Sequence, residues 1–153
     1  IQMNIALNDV IIARAGFSRL VELKIYVNGE LLSIYNADGI IVSTPTGSTG
    51  YSLSAGGPII FPQTDVIVIT PICPHSLQAR SLVVSGEDRI MIEIGRRRKT
   101  QKEEAMVTFD GRSAQELETG DRIEIYKAQE TTQRIRLKGR SFYQVLQNKI
   151  GTA

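Results

Sequence analysis

The sequence is poor in the residues from which thiol and metal chemistry are usually built: among 153 residues there is one cysteine, Cys73, and one histidine, His75. A single cysteine excludes an internal disulfide and fits a reducing compartment. Cys73 and His75, separated by Pro74, supply too few ligands for a zinc site. Their i, i+2 spacing in an extended segment also keeps them from converging as a nucleophile and its base. His75 therefore reads as a turn residue whose hydrogen bonding fixes a loop. No apolar run approaches the ~20 residues that cross a bilayer, and no signal-peptide pattern opens the chain, so a cytoplasmic location is expected. Charge of one sign is scarce as well. With 18 basic and 16 acidic residues the net charge is +2, which points to neither a nucleic-acid nor a membrane partner. The densest basic run, Arg96-Arg97-Arg98-Lys99, is followed by mixed polar residues and reads as a solvated loop. No methionine precedes Ile1-Gln2, from which we expect further chain upstream.

Long helical patterns are few. Leu20–Val27 alternates, with Val21, Leu23, Ile25 and Val27 on one face. Asn28-Gly29, the dipeptide of a tight type I′ hairpin, follows, and Leu31–Tyr35 returns. Further strands are expected at Val10–Arg14, Gly39–Ser43, Val66–Ile72, Leu82–Ser85, Arg89–Ile94, Met106–Phe109, Arg122–Lys127 and Arg134–Leu137. Short Ile/Val-rich strands with so few intervening helices predict an all-β, mostly antiparallel, sandwich-like two-sheet domain rather than a βαβ repeat. Two helical exceptions are expected. One is a short turn over Ser52–Gly57. The other is a C-terminal helix over Ser141–Ile150, capped by Ser141, with Phe142, Val145, Leu146 and Ile150 on one face and Gly151 as its stop. No repeat or linker divides residues 1–153, so a single domain is expected.

Ser43–Ser52 closes an apolar strand with six Ser/Thr residues and two glycines, then enters the helical turn. Hydroxyls and glycine-freed amides at such a place can receive an anionic or polyhydroxylated ligand. The segment lacks the Gly-Lys-Ser/Thr of a Walker A loop, and no G-x-G-x-x-G occurs. Thr46 stands where G-x-S-x-G needs its first glycine. On these residues alone, nucleotide binding and a plain strand-to-helix turn both stay open. Asp38-Gly39 and Asp110-Gly111 read singly as turns.

Together the segments resemble the C-terminal domain of NAD kinases. Thr44–Pro58 follows that family's T-P-[TS]-G-[ST]-T-A-Y-S-L-S-A-G-G-P string, with Gly50 where Ala is usual. Ala6-Leu7-Asn8-Asp9 follows its A-L-N-E/D element, Thr70–Leu77 its T-P-I-C-P-H-S-L, Asp110-Gly111-Arg112 its D-G-Q, and Gly120-Asp121 a late G-D. The resemblance runs over nearly the whole chain.

It implies transfer of the γ-phosphoryl group of ATP or polyphosphate to the 2′-hydroxyl of the adenosine ribose of NAD, giving NADP. A divalent cation such as Mg²⁺ would accompany ATP. NAD would lie between an N-terminal α/β domain and this one. Asn8 and Asp9 would hold the adenosine end and Asp38 the nicotinamide end. Thr46, Thr49, Gly50, Tyr51, Ser52, Leu53 and Ser54 would line the cleft. By alignment with the family Arg19 and Asn36 also fall on ligand-lining positions, and Arg112 would reach the site from a neighbouring subunit. Assembly as a homodimer or homotetramer through the β domain is implied too. Asp9 is one methylene shorter than the usual Glu, Gly50 removes a methyl, and Arg112 replaces a neutral Gln. The family's G-G-D-G-T motif, which carries the general-base Asp, is not in these residues. The isolated chain is accordingly expected to bind NAD weakly at most and to have no turnover. A lipid or sphingoid kinase domain of the same superfamily, or a purely structural assembly module, are the alternatives.

Overall fold

A computed structural model describes residues 2–16, 20–96, 100, 102–135, 137 and 139–151. Ten strands follow in chain order: β1 (Asp9–Arg14), β2 (Val21–Val27), β3 (Glu30–Ala37), β4 (Gly39–Ser43), β5 (Val66–Ile72), β6 (Leu82–Ser85), β7 (Ile90–Ile94), β8 (Glu104–Phe109), β9 (Arg112–Glu118) and β10 (Arg122–Ile125). They form a six-stranded sheet in the order β6-β5-β4-β1-β8-β9 and a four-stranded sheet in the order β10-β7-β2-β3. Every pairing is antiparallel. The all-β, two-sheet expectation holds.

Period-2 patterning explains why the sheets face each other. In β2, Val21, Leu23 and Ile25 are fully buried, and in β7 so are Ile90, Ile92 and Ile94. They pack with Ile12, Ile40, Val42, Ile69 and Val107 of the six-stranded sheet in one apolar core. The central strand β4 is buried on both faces. Its second face, carrying Ile41 and Ser43 beside Thr70 and Val68 of β5, is covered by the segment that follows β4. That segment begins with a 3-10 turn (Gly47–Thr49) and the one-turn helix α1 (Tyr51–Ser54).

The Asn28-Gly29 hairpin forms as its dipeptide dictates, with φ of 50° and 84°. Asp110-Gly111 makes a second positive-φ turn, at 49° and 70°, joining β8 to β9. The helical turn lies at Tyr51–Ser54 rather than 52–57, ahead of Gly56 at φ 87°. The C-terminal helix α2 (Phe142–Ile150) has the expected Ser141 cap, completed as a capping box by Gln144. Its apolar face is only partly covered: Phe61 packs edge-on against Phe142 and lies over Tyr143, while Val145 and Ile150 remain exposed.

The strands depart from the sequence pattern at two places. Arg134, Ile135 and Leu137 belong to no strand, and Ile135 and Leu137 are almost fully exposed (86% and 93%), because among the described residues no strand lies alongside to accept their ladder bonds. Conversely β9, with the mixed sequence RSAQELE, forms because the Asp110-Gly111 turn folds it back on β8. The basic run at residues 96–99 lies mostly outside the described residues; Arg96 itself is exposed.

Candidate functional site

The antiparallel pairing of β1 with β4 sets Asp9 opposite Ser43, so the start of one strand and the end of the other share an edge of the six-stranded sheet. There the Ser/Thr loop is fastened directly to the segment before β1. The Thr44 N–H donates to the Asn8 carbonyl (2.9 Å) and the Thr44 hydroxyl to the Leu7 carbonyl (2.8 Å). The Thr44 Oγ1 also accepts from the Gly47 N–H at 3.1 Å. Gly47 passes so close to Asn8 that a Cβ there would collide with the Asn8 carbonyl, which is why only glycine fits.

Asp110 completes this edge. Its carboxylate accepts from three successive N–H groups, Leu7 (2.6 Å), Asn8 (2.7 Å) and Asp9 (3.0 Å). Burial pushes the Asp110 carboxyl up, but these amides and nearby Arg112 outweigh it and hold the group below the usual carboxylate range. Asp9 moves the other way: burial, and then the negative charge of Asp110, raise its carboxyl. A hollow of about 450 Å³ opens beside this edge, lined by Asn4, Ile5, Leu7, Asn8, Phe109, Asp110 and Arg112. Arg112 thus stands next to Asn8 of its own chain.

Within the loop the hydroxyls divide into two sets. Ser48 is fully buried; its hydroxyl donates to the Pro45 carbonyl (2.7 Å) and accepts from the Ile60 N–H (3.0 Å). Ser52 is equally buried, its Oγ 2.9 Å from that of Thr70. These two pin the turn to the sheet. Thr46 and Thr49 are half-buried, Tyr51 and Ser54 exposed, Leu53 half-buried. The C-terminal tail reaches them: Lys149 Nζ donates to Thr49 Oγ1 at 3.3 Å, and Arg134 stands 3.5 Å from Thr46 Oγ1. The Ser48 and Gly50 amides are taken by the Pro45 and Gly47 carbonyls, and those of Leu53 and Ser54 by that of Gly50. Side chains, rather than these amides, are what the turn presents.

Asp38 and Asn36 lie elsewhere. Asp38 precedes β4, six residues before Thr44, which at ~3.3 Å per residue puts the two roughly 20 Å apart. Its carboxylate is 3.2 Å from Arg14 Nε, and its N–H donates to the Ile72 carbonyl. Asn36 lies in β3 opposite Glu22; its carbonyl accepts from the His75 N–H at 2.9 Å. Its Oδ1 is buried with no partner among the described residues. His75 thus fixes its loop through its backbone, and its ring is exposed. A second hollow, of about 520 Å³, lies between β3 and the 74–82 loop. Arg19 falls outside the described residues. One edge therefore gathers Asn8, Asp9, Arg112 and the Thr46–Ser54 turn, while Asn36 and Asp38 sit at the opposite end.

Residues 7–137 match the family model of the ATP-NAD kinase C-terminal domain. The chain belongs to this family. It is 54% identical over 146 residues to an NAD kinase of Lachnoclostridium phytofermentans, covering 95% of this chain and 51% of that protein. An NAD kinase of Agathobacter rectalis is 50% identical over 147 residues, covering 96% and 52%. The chain thus spans about half the length of the curated relatives it matches. Among solved structures it resembles yeast NADH kinase complexed with NADH (TM-score 0.72, 40% identity, 79% of this chain and 34% of that one). It also resembles an NAD kinase from Archaeoglobus fulgidus in complex with ATP (TM-score 0.71, 30% identity, 81% and 46%).

In this ATP-NAD kinase domain, two residues of the edge carry weight that their sequence context did not reveal. Thr44 was visible only as part of the Ser/Thr loop, yet it is the latch between that loop and Asn8. Asp110 was visible as a hairpin residue; its role as a clamp on residues 7–9 needs the β1–β8 pairing, which no local pattern announces.

Proposed function

We propose that the protein carrying this domain phosphorylates the 2′-hydroxyl of the adenosine ribose of NAD with ATP, forming NADP, and that this domain supplies one wall of the NAD cleft. The observation that carries the reading is the joining of residues 7–9 to the Thr44–Ser54 turn through Thr44, with Asp110 holding the amides of Leu7, Asn8 and Asp9. An Asn side chain both donates to and accepts from a base, and a carboxylate accepts from ribose hydroxyls. Thr46, Thr49, Tyr51 and Ser54 line the same edge; Ser52, wholly buried, contributes by holding the turn.

The catalytic base stands on chain beyond these residues, in an N-terminal domain that closes the cleft. A base must come within ~3 Å of the proton it removes, and no carboxylate besides Asp9 and Asp110 stands at this edge among the described residues. Mg²⁺ arrives with ATP; among the described residues no group of three or more His, Cys, Asp and Glu side chains gathers to hold it. Among the described residues no helix is long and apolar enough to cross a membrane.

Asp38 and Asn36 act at the nicotinamide end of NAD held by a second copy, in a homodimer or homotetramer. The roughly 20 Å between the two ends supports this. So does β3, an unpaired sheet edge on which Leu31, Leu32 and Ile34 are about half exposed.

In the intact protein, Asp9→Asn is expected to raise the KM for NAD at least tenfold, the scale of a lost charged hydrogen bond, and to leave the KM for ATP unchanged. An unchanged NAD requirement, or preferential phosphorylation of diacylglycerol over NAD, would overturn the reading.

A further inference from the structure

Ser43, the last residue of β4, stands directly across the ladder from Asp9. The Thr44 N–H bonds to the Asn8 carbonyl one step beyond, so Asp9 and Ser43 form a non-hydrogen-bonded pair. Side chains of such pairs point to the same face and approach most closely, with Cβ atoms about 4.5–5.5 Å apart. Ser43 is 1% exposed, and its Oγ has no hydrogen-bond partner among the described residues. The other buried hydroxyls of this layer, on Ser48, Ser52 and Thr70, are all engaged.

A buried hydroxyl with no partner destabilises the fold, and an apolar residue of similar size there would not. Solvent does not reach it, and its cross-strand neighbour on the other side, Val68, is apolar. Asp9 is the polar side chain directly opposite it in the ladder, and the nearby Thr70 hydroxyl is already bonded to Ser52. The Asp9 carboxylate itself has no hydrogen bond among the described residues, although its N–H is held by Asp110. A donor and an acceptor, both idle, therefore face each other at the edge assigned to the adenosine ribose.

We infer that Ser43 is a positioning residue for Asp9: its hydroxyl donates to one carboxylate oxygen and so aims the other at the ribose hydroxyls of NAD. The inference rests on the adenosine-end role proposed for Asp9. Burial and the Asp110 charge both raise the Asp9 carboxyl, and a hydrogen bond from Ser43 favours the ionised form that accepts from ribose.

The test is a double-mutant cycle in the intact enzyme, read as KM for NAD, KM for ATP and Tm. Ser43→Ala is expected to raise the KM for NAD roughly tenfold, as for one hydrogen bond to a charged group, with the KM for ATP unchanged. Tm is expected to hold or rise, because an unpaired hydroxyl is removed. Ser43→Cys, which keeps a weak donor, should fall between. On an Asp9→Asn background, Ser43→Ala should add little further. A KM for NAD within twofold of the parent in Ser43→Ala overturns the inference, as does a full additive effect in the double variant. Asp9→Asn alone separates the two failures: if it raises the KM for NAD while Ser43→Ala does not, only the Ser43 role falls. If neither variant moves it, the adenosine-end reading falls with it.

Discussion

Asp9 and Asp110 are neighbours at one sheet edge, and their surroundings pull them in opposite directions. Asp110, fixed by three amides, is held below its ordinary value of 3.8. A carboxyl lowered on folding stabilises the native state above its unfolded value, and that contribution disappears as pH falls through the folded one. Asp110→Asn, which keeps one acceptor oxygen, should cost about 1–2 kcal/mol at neutral pH and flatten the acid limb of a Tm-against-pH curve. An acid limb as steep as the parent's would show that the clamp does not carry it. Asp9 has the reverse sign. Its raised carboxyl makes the ionised form a cost to folding at neutral pH, a cost relieved as pH falls toward 3.8. Asp9→Asn should therefore raise Tm at pH 7 while weakening NAD binding, the pattern of a site kept for function rather than stability. A lower Tm would contradict that assignment. Asp110-Gly111 was legible as a turn because positive φ at both positions suits this dipeptide. The clamp was not, since it joins residues about a hundred positions apart.

Among the elements, the strands were readable where one face is apolar at every second residue, as in β2 and β7. They were not readable where pairing rather than composition makes the strand. β9 exists because a tight turn returns it to β8. Arg134, Ile135 and Leu137 have no paired strand among the described residues, and isolated strand propensity is weak. The Ser/Thr loop divides in the same way. Its glycines and hydroxyls were visible, but not that Ser48 and Ser52 point into the sheet while Thr46, Thr49 and Tyr51 stay at the edge. Gly47→Ala tests how tightly loop and β1 are coupled: the added Cβ meets backbone rather than a movable side chain. It should lower Tm and weaken NAD binding together, and a variant with parental Tm and affinity would show that the contact yields. Ser141→Ala removes the capping box of α2 and should cost about 1 kcal/mol. Because α2 buries no residue completely, the loss should appear as faster amide exchange in 142–150 while the sandwich core is unchanged.

For the whole molecule, the sandwich fixes how far apart the two groups of proposed site residues lie. β4 runs between them, paired on both sides with β1 and β5 and with all five of its residues buried. No side-chain rearrangement brings Asp38 to Asp9. If NAD is shared between copies, each cleft takes Asn8 and Asp9 from one chain and Asp38 from another, and this arrangement can be tested by complementation. Asp9→Asn and Asp38→Ala variants of the intact enzyme, each weak alone, are unfolded together, mixed in equal amounts and refolded. In a dimer with shared clefts, half the molecules are mixed, and each of those has one doubly altered cleft and one intact cleft. About a quarter of the parental activity should then return, by the symmetry of an isologous pair. If one chain supplies both groups to the same NAD, every cleft in every mixture carries one lesion, and activity stays at the level of the separate variants. Recovery that tracks the amount of mixed dimer would establish sharing, and absence of recovery from a mixture shown to contain such dimers would assign both ends of NAD to a single chain.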